Sequence, residues 1–156
     1  MQRTYNFSGF LAFNKFVFKE PDEIWGADDD TDIEYMYQFL TTQNSNILTP
    51  KTIQEGWLKH IKHEEQNYLW VSNQKAFDLM KNGVFPPETG SSELNEFYEM
   101  IDAQLTTEIF GLFSPSREDF ALKLSHLPIR TTARENAAWI SEFYVCLLYT
   151  SDAADD

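Results

Sequence analysis

The residues of this chain best placed to do chemistry are Asp28, Asp29, Asp30 and Asp32, four carboxylates in the five-residue run Asp28-Asp29-Asp30-Thr31-Asp32. Carboxylate oxygens are hard ligands, and several at one point repel each other unless a cation such as Mg²⁺ or Ca²⁺ draws them together. The bland alternative is a helix start, where one or two acids cap free N–H groups and each gains about 0.3–1 kcal/mol from the helix dipole. Four acids exceed what one helix end offsets, so the spacing predicts a divalent-cation site. His60 and His63 are a second set of potential ligands, three residues apart, but no glutamate follows them in a zinc-type pattern and solvated side chains are expected. Arg130 and Arg134 have the chemistry to meet a pyrophosphate, yet two arginines near a helix start usually face solvent.

The elements that must hold these groups read as helices. Thr31-x-x-Glu34 has the form of a capping box, followed by Ile33, Met36, Tyr37 and Leu40 at helical spacing. This places the acids immediately ahead of a helix, behind Trp25-Gly26-Ala27, where Gly26 permits close backbone approach. Thr49-Pro50 caps and opens a second helix with Ile53, Trp57 and Ile61 on one face. A third is expected over 72–81, closed by Asn82-Gly83. The segment from Gly83 to Ser92, with Pro86-Pro87 inside it, reads as a rigid polar loop of the kind that lines sites. A fourth helix is predicted over 93–110, burying Leu94, Phe97, Ile101, Leu105 and Ile109 and leaving Asp102 and Gln104 off the apolar stripe. Ser114-Pro115 is expected to open a fifth helix that Pro128 stops, and Thr132-x-x-Glu135 to cap a sixth through Ala137, Ile140 and Tyr144. Residues 1–24 are aromatic-rich without clean periodicity and read as irregular or weakly extended. No β-alternation competes with these patterns, so the expected architecture is all-α, a single orthogonal helical domain.

Three known arrangements can be set against the acidic run. An EF-hand fails, because Ile33 stands where glycine is required and Phe39 where the closing glutamate belongs. Asp28-Asp29-x-x-Asp32 satisfies the DDxxD pattern of the all-α terpene synthases and prenyl transferases, but no second metal-binding motif follows. Gly26-Ala27-Asp28-Asp29-Asp30-Thr31 resembles the G-x-x-T-D-D-T signature of the ADP-ribosylglycohydrolase family. The loop from Gly83 to Ser92 is similar to the Gly then Pro-Pro loop of that family's larger bacterial members. Ile101-Asp102-Ala103-Gln104 with Glu108-Ile109-Phe110-Gly111 is similar to their Ala-Gln helix. Together these span roughly residues 25–145.

The resemblance implies an incomplete ADP-ribosylglycohydrolase-like fold and a dinuclear Mg²⁺ site, of which Asp28, Asp29 and Asp30 form one half. Asp29 and Asp30 would be the catalytic acids that orient a water toward the anomeric carbon of an ADP-ribose-type substrate, and Asp102 and Gln104 the weaker candidates for substrate contacts. Asp28 departs from the family, which usually has threonine there. The family's G-D-A-x-G type segment is not found in residues 1–24, and the second D-x-D-T type motif, the one that completes the metal pair, is expected downstream of Val145. The alternatives are a DDxxD-type diphosphate enzyme and a non-catalytic helical module stabilised by metal.

Composition limits the partners. The 156 residues carry a net charge of −13, with 42% hydrophobic and 15% aromatic content. A core is affordable at that size, and nucleic acid or an anionic membrane is an unfavourable partner unless a metal intervenes. No signal peptide or membrane span is legible. The one cysteine, Cys146, excludes an internal disulfide. It opens the run 146–156, Cys-Leu-Leu-Tyr-Thr-Ser-Asp-Ala-Ala-Asp-Asp, which resembles a translated transposon-type sequencing adapter and is expected to be a non-native tail. On that expectation the chain is a fragment with half a site, binding metal weakly and turning nothing over.

Overall fold

Side-chain caps open the first two helices, and apolar repeats at helical spacing carry them on. A computed structural model describes residues 4–5, 16–17, 28–44, 48–62 and 68–151. Helix α1 (Asp29–Gln43) starts one residue after Asp28, whose Oδ1 accepts from the Thr31 N–H at 3.0 Å. The cap is therefore Asp28 and not Thr31. The acids do not precede the helix; Asp29, Asp30 and Asp32 make up its first turn. Ile33, Met36, Tyr37 and Leu40 are buried as their spacing requires. Helix α2 (Pro50–His60) has Thr49 as its cap, accepting from Thr52 N–H at 3.1 Å, and buries Ile53 and Trp57. Helix α3 (Val71–Lys81) ends at Asn82, and Gly83 takes the left-handed conformation (φ 84°) that glycine adopts without strain. Two short strands, β1 (Thr4–Tyr5) and β2 (Phe16–Val17), pair antiparallel. The rest of residues 1–27, including Trp25-Gly26-Ala27, together with His63 and the end of the tail, lies outside the described residues.

The expected helix over 93–110 does not form as one piece. Turns occupy 91–101, followed by α4 (Asp102–Thr107) and α5 (Ile109–Leu112). Two side chains explain the interruption. The buried Asn95 turns its amide onto the backbone, accepting from Phe97 N–H and donating to the carbonyls of Ser72 and Thr89, an arrangement that competes with helical bonding. Farther on, Glu34 of α1 accepts the Ile109 N–H at 3.2 Å and takes that donor out of the helical ladder. Leu94 and Ile101, expected inside, are exposed, while Ala103, Thr106, Thr107 and Phe110 are buried instead.

Helix α6 (Glu118–Thr132) starts later than Ser114-Pro115 suggests and runs through Pro128. A proline inside a helix costs about 3 kcal/mol. Here Pro128, Ile129, Thr131 and Thr132 are all buried around it, and that burial outweighs the lost hydrogen bond. Thr132 consequently closes α6 and does not cap the next helix. Helix α7 (Glu135–Ser151) follows after two residues and runs past Val145. It buries Ala137, Ala138, Ser141 and Val145, and it leaves Trp139, Ile140, Phe143 and Leu147 exposed.

The core joins the helices through aromatic contacts and close backbone approaches. Trp57 Nε1–H donates to the Tyr37 hydroxyl at 3.3 Å, and Tyr37 packs on Phe110 with ring centroids 5.8 Å apart, tying α1, α2 and α5 together. At Gly90, in the 3₁₀ turn Glu88–Gly90, a Cβ would lie 2.6 Å from the Arg130 carbonyl oxygen. Glycine is what lets that turn rest on the end of α6. The Pro86-Pro87 peptide is cis. The architecture is all-α apart from the two-residue ladder, and among the described residues no helix is long and apolar enough to cross a membrane.

Candidate functional site

Three helix N-termini meet where the sequence places its acids. Asp29 is the first residue of α1 and Asp102 the first of α4, and between them comes the start of α3, with Trp70 as its cap and Asn73 in its first turn. Helix starts carry unpaired N–H groups and partial positive charge, so their convergence makes a corner that holds carboxylates well. Asp29 is only 1% exposed. Its Oδ2 accepts from the Trp70 N–H at 2.7 Å and from Asn73 Nδ2–H at 2.9 Å. Asp102 is 2% exposed, and its Oδ1 accepts from the Asn73 N–H at 3.3 Å. Asn73 thus bonds to both buried carboxylates, through its side chain and its main chain.

The remaining lone pairs are not all met. Among the described residues, Asp29 Oδ1 and Asn73 Oδ1 are buried without a hydrogen-bond partner. Buried polar atoms are paired in the great majority of cases, so two unmet acceptors on adjacent groups are notable. Both are oxygens, the donor type that a hard cation takes.

Electrostatics around the corner follow from crowded negative charge. Burial, reinforced by the charges of Asp29, Asp28, Asp102 and Glu34, pushes the Asp30 carboxyl up to about 6. Burial likewise raises Asp102, with the Asn73 N–H working against it and the Asp29 charge adding to it. Glu34 is raised by burial and by the nearby Glu108. Asp28 goes the other way, because the Thr31 N–H stabilises its ionised form.

The expected site residues are therefore divided by the fold. Asp28 is exposed and engaged as a cap, Asp29 points inward, and Asp30 is half-buried beside it. Asp102 joins Asp29, whereas Gln104 is half-buried and, among the described residues, has no side-chain hydrogen bond to the corner. The DDxxD spacing falls on a cap and a first turn, at the opposite end of the helix from where a diphosphate enzyme carries it.

Among the described residues, no three His, Cys, Asp or Glu side chains are grouped so as to hold a metal ion by themselves. A cation at this corner would complete its shell with amide, hydroxyl or water oxygens, and Mg²⁺ commonly keeps several waters. Exposed His60 stands edge-on to Phe39, with ring centroids 5.4 Å apart. Arg134 is half-buried and donates to the carbonyls of Pro87, Arg130 and Ala133, while Arg130 pairs with Glu142 at 2.8 Å. Both arginines serve the packing of the 83–92 loop and α7 and do not face solvent freely.

Sequence reasoning missed Asn73 and the Trp70 N–H. The one local signal was a polar Ser72-Asn73 pair in the first turn of a helix, which by itself reads as ordinary capping. Comparison of the chain with protein-family models, curated proteins and solved structures returned no match.

Proposed function

We propose that the corner formed by Asp28, Asp29 and Asp30 is one half of a dinuclear Mg²⁺ site in a hydrolase of the ADP-ribosylglycohydrolase type. Its substrate class is an N- or O-glycosidic bond to ADP-ribose or a related glycoside. The observation that carries this reading is the buried, unpaired Asp29 Oδ1 beside a carboxyl, Asp30, held well above its ordinary range. An orphaned carboxylate oxygen at a crowded anionic corner is the arrangement a cation relieves. The motif order described above supports the choice of family.

When bound, Mg²⁺ supplies Lewis acidity and lowers the pKa of a coordinated water. Asp29 would hold the cation through Oδ1, its Oδ2 being bonded to Trp70 N–H and Asn73 Nδ2–H. Asp30, half-buried beside Asp29, would orient the attacking water and accept its proton. Asp28, whose Oδ1 caps α1, would be a further ligand. A chain of net charge −13 would otherwise repel a pyrophosphate, so the reading needs the cation for binding as much as for chemistry.

The test is Mg²⁺-dependent release of ADP-ribose by the complete gene product, with Asp29→Ala and Asp30→Ala alongside. Loss of turnover in both variants is expected, and unchanged activity in both removes the assignment. One observation favours a second reading, a metal-stabilised module without catalysis: Asp29 also accepts the Trp70 N–H at the start of α3 and so has a structural role. That reading predicts Mg²⁺-dependent stabilisation with no ADP-ribose release.

A further inference from the structure

We propose that Asn73 is the positioning residue of this corner, holding Asp29 so that a single carboxylate oxygen, Oδ1, is presented to a divalent cation. The inference rests on the reading of Asp29 as a cation ligand. Two donors, Asn73 Nδ2–H at 2.9 Å and Trp70 N–H at 2.7 Å, both fall on Asp29 Oδ2. Among the described residues nothing bonds Oδ1, the condition for one-oxygen ligation. The Trp70 N–H is main chain and cannot be tuned by side-chain choice; Asn73 can.

The Asn73 main-chain N–H bonds Asp102 Oδ1 at 3.3 Å, a contact that any residue but proline would keep, so the variants below leave the second carboxylate's bond in place. The side chain is fully buried, and its Oδ1 has no partner. An amide whose single oxygen goes unmet has no packing advantage over an apolar group of equal size, so what favours asparagine here is its Nδ2–H bond to Asp29. Its orientation is fixed by chemistry: turning the amide over would set oxygen against the Asp29 carboxylate. Removing a donor that orients a metal-binding carboxylate typically changes metal affinity by about 10–100-fold.

The experiment uses Mn²⁺ as the probe, with free ion followed by electron paramagnetic resonance in a titration of the whole chain. Asn73→Leu, of similar volume, removes the donor and is expected to weaken binding by about 10–100-fold. Asn73→Asp is the sharper variant. An added negative charge alone would tighten cation binding, so weaker binding in Asn73→Asp isolates the lost donor. Affinity within twofold of the unaltered chain in Asn73→Leu, or tighter binding in Asn73→Asp, overturns the proposal. If neither variant folds, the side-chain amide signals of Asn73 in the unaltered protein are followed by NMR during a Mg²⁺ titration. They are expected to shift, and amide signals that stay fixed while the metal binds overturn the proposal. Failure of the unaltered chain to bind Mn²⁺ overturns both this inference and the metal reading beneath it. Binding that the variants leave untouched overturns this inference alone.

Discussion

Replacing Asp29 by alanine separates the structural role of this carboxylate from its proposed one. In metal-free buffer Asp29→Ala removes the acceptor for two donors, Trp70 N–H and Asn73 Nδ2–H. The Asn73 amide is fully buried and cannot reach water, so leaving its N–H unmet costs about 1–3 kcal/mol. The Trp70 N–H is part-buried and can recruit water more cheaply. Loss of a negative charge at the start of α3 costs up to about 2 kcal/mol more in a partly buried setting. Against this stands relief of repulsion with Asp30 and Asp102, both of which feel the Asp29 charge. The balance is a destabilisation of about 2–4 kcal/mol. At about 2–4 °C per kcal/mol for a chain of this size, the melting temperature should fall by about 5–15 °C. Thermal unfolding followed by circular dichroism in the presence of a chelator measures it. Asp28→Ala is the comparison: it removes an exposed cap and should cost about 1 kcal/mol. An Asp29→Ala protein as stable as the original, or more so, would refute the account of Asp29 as a capping anion and mark its burial as a net burden.

Other expectations are simpler. Gly90→Ala puts a Cβ 2.6 Å from the Arg130 carbonyl oxygen and 2.9 Å from the Ala133 nitrogen, both backbone atoms that cannot swing away, so the 83–92 loop should detach or the protein lose several degrees of stability. Limited proteolysis and thermal unfolding would show either. Tyr37→Phe removes the acceptor of the buried Trp57 Nε1–H and should cost about 1–3 kcal/mol by chemical denaturation. In metal-free buffer, stability should decline as pH rises from about 4 to about 6. Asp30 holds its proton up to about 6 when folded against 3.8 ordinarily, so folding takes up a proton in that window and the benefit is lost once pH passes 6. The raised carboxyls of Asp102 and Glu34 act in the same direction. Denaturation at pH 4.5 and 7.5 tests this, and Asp30→Asn should flatten the difference. Conversely, Mg²⁺ affinity should increase as pH rises through about 6, because cation and proton compete for the same oxygens.

Local chemistry made much of the fold legible. Thr49-Pro50, Asn82-Gly83 and the repeat Ile33, Met36, Tyr37, Leu40 each encode their element within a few residues, and all three stand where their spacing put them. The all-α class followed from the same signals. The sequence also determined that Asp28 through Asp32 would crowd charge at one point, since neighbours in the chain are neighbours in space. What it did not contain was the other side of that corner. Asn73 lies 44 residues from Asp29, and Asp102 lies 29 from Asn73; only folding brings three helix starts together and splits the acids into a cap, a buried anion and a half-buried acid. The same long-range effect broke the helix expected over 93–110. Glu34, 75 residues away, takes the Ile109 N–H, and no periodicity can report a competitor that arrives from another helix. Pro128 was misread for a related reason: a local rule set its cost, and tertiary burial on either side of it exceeded that cost. Sequence fixes what a residue can do within a turn or two of its own helix, and tertiary structure decides which distant partner claims it first.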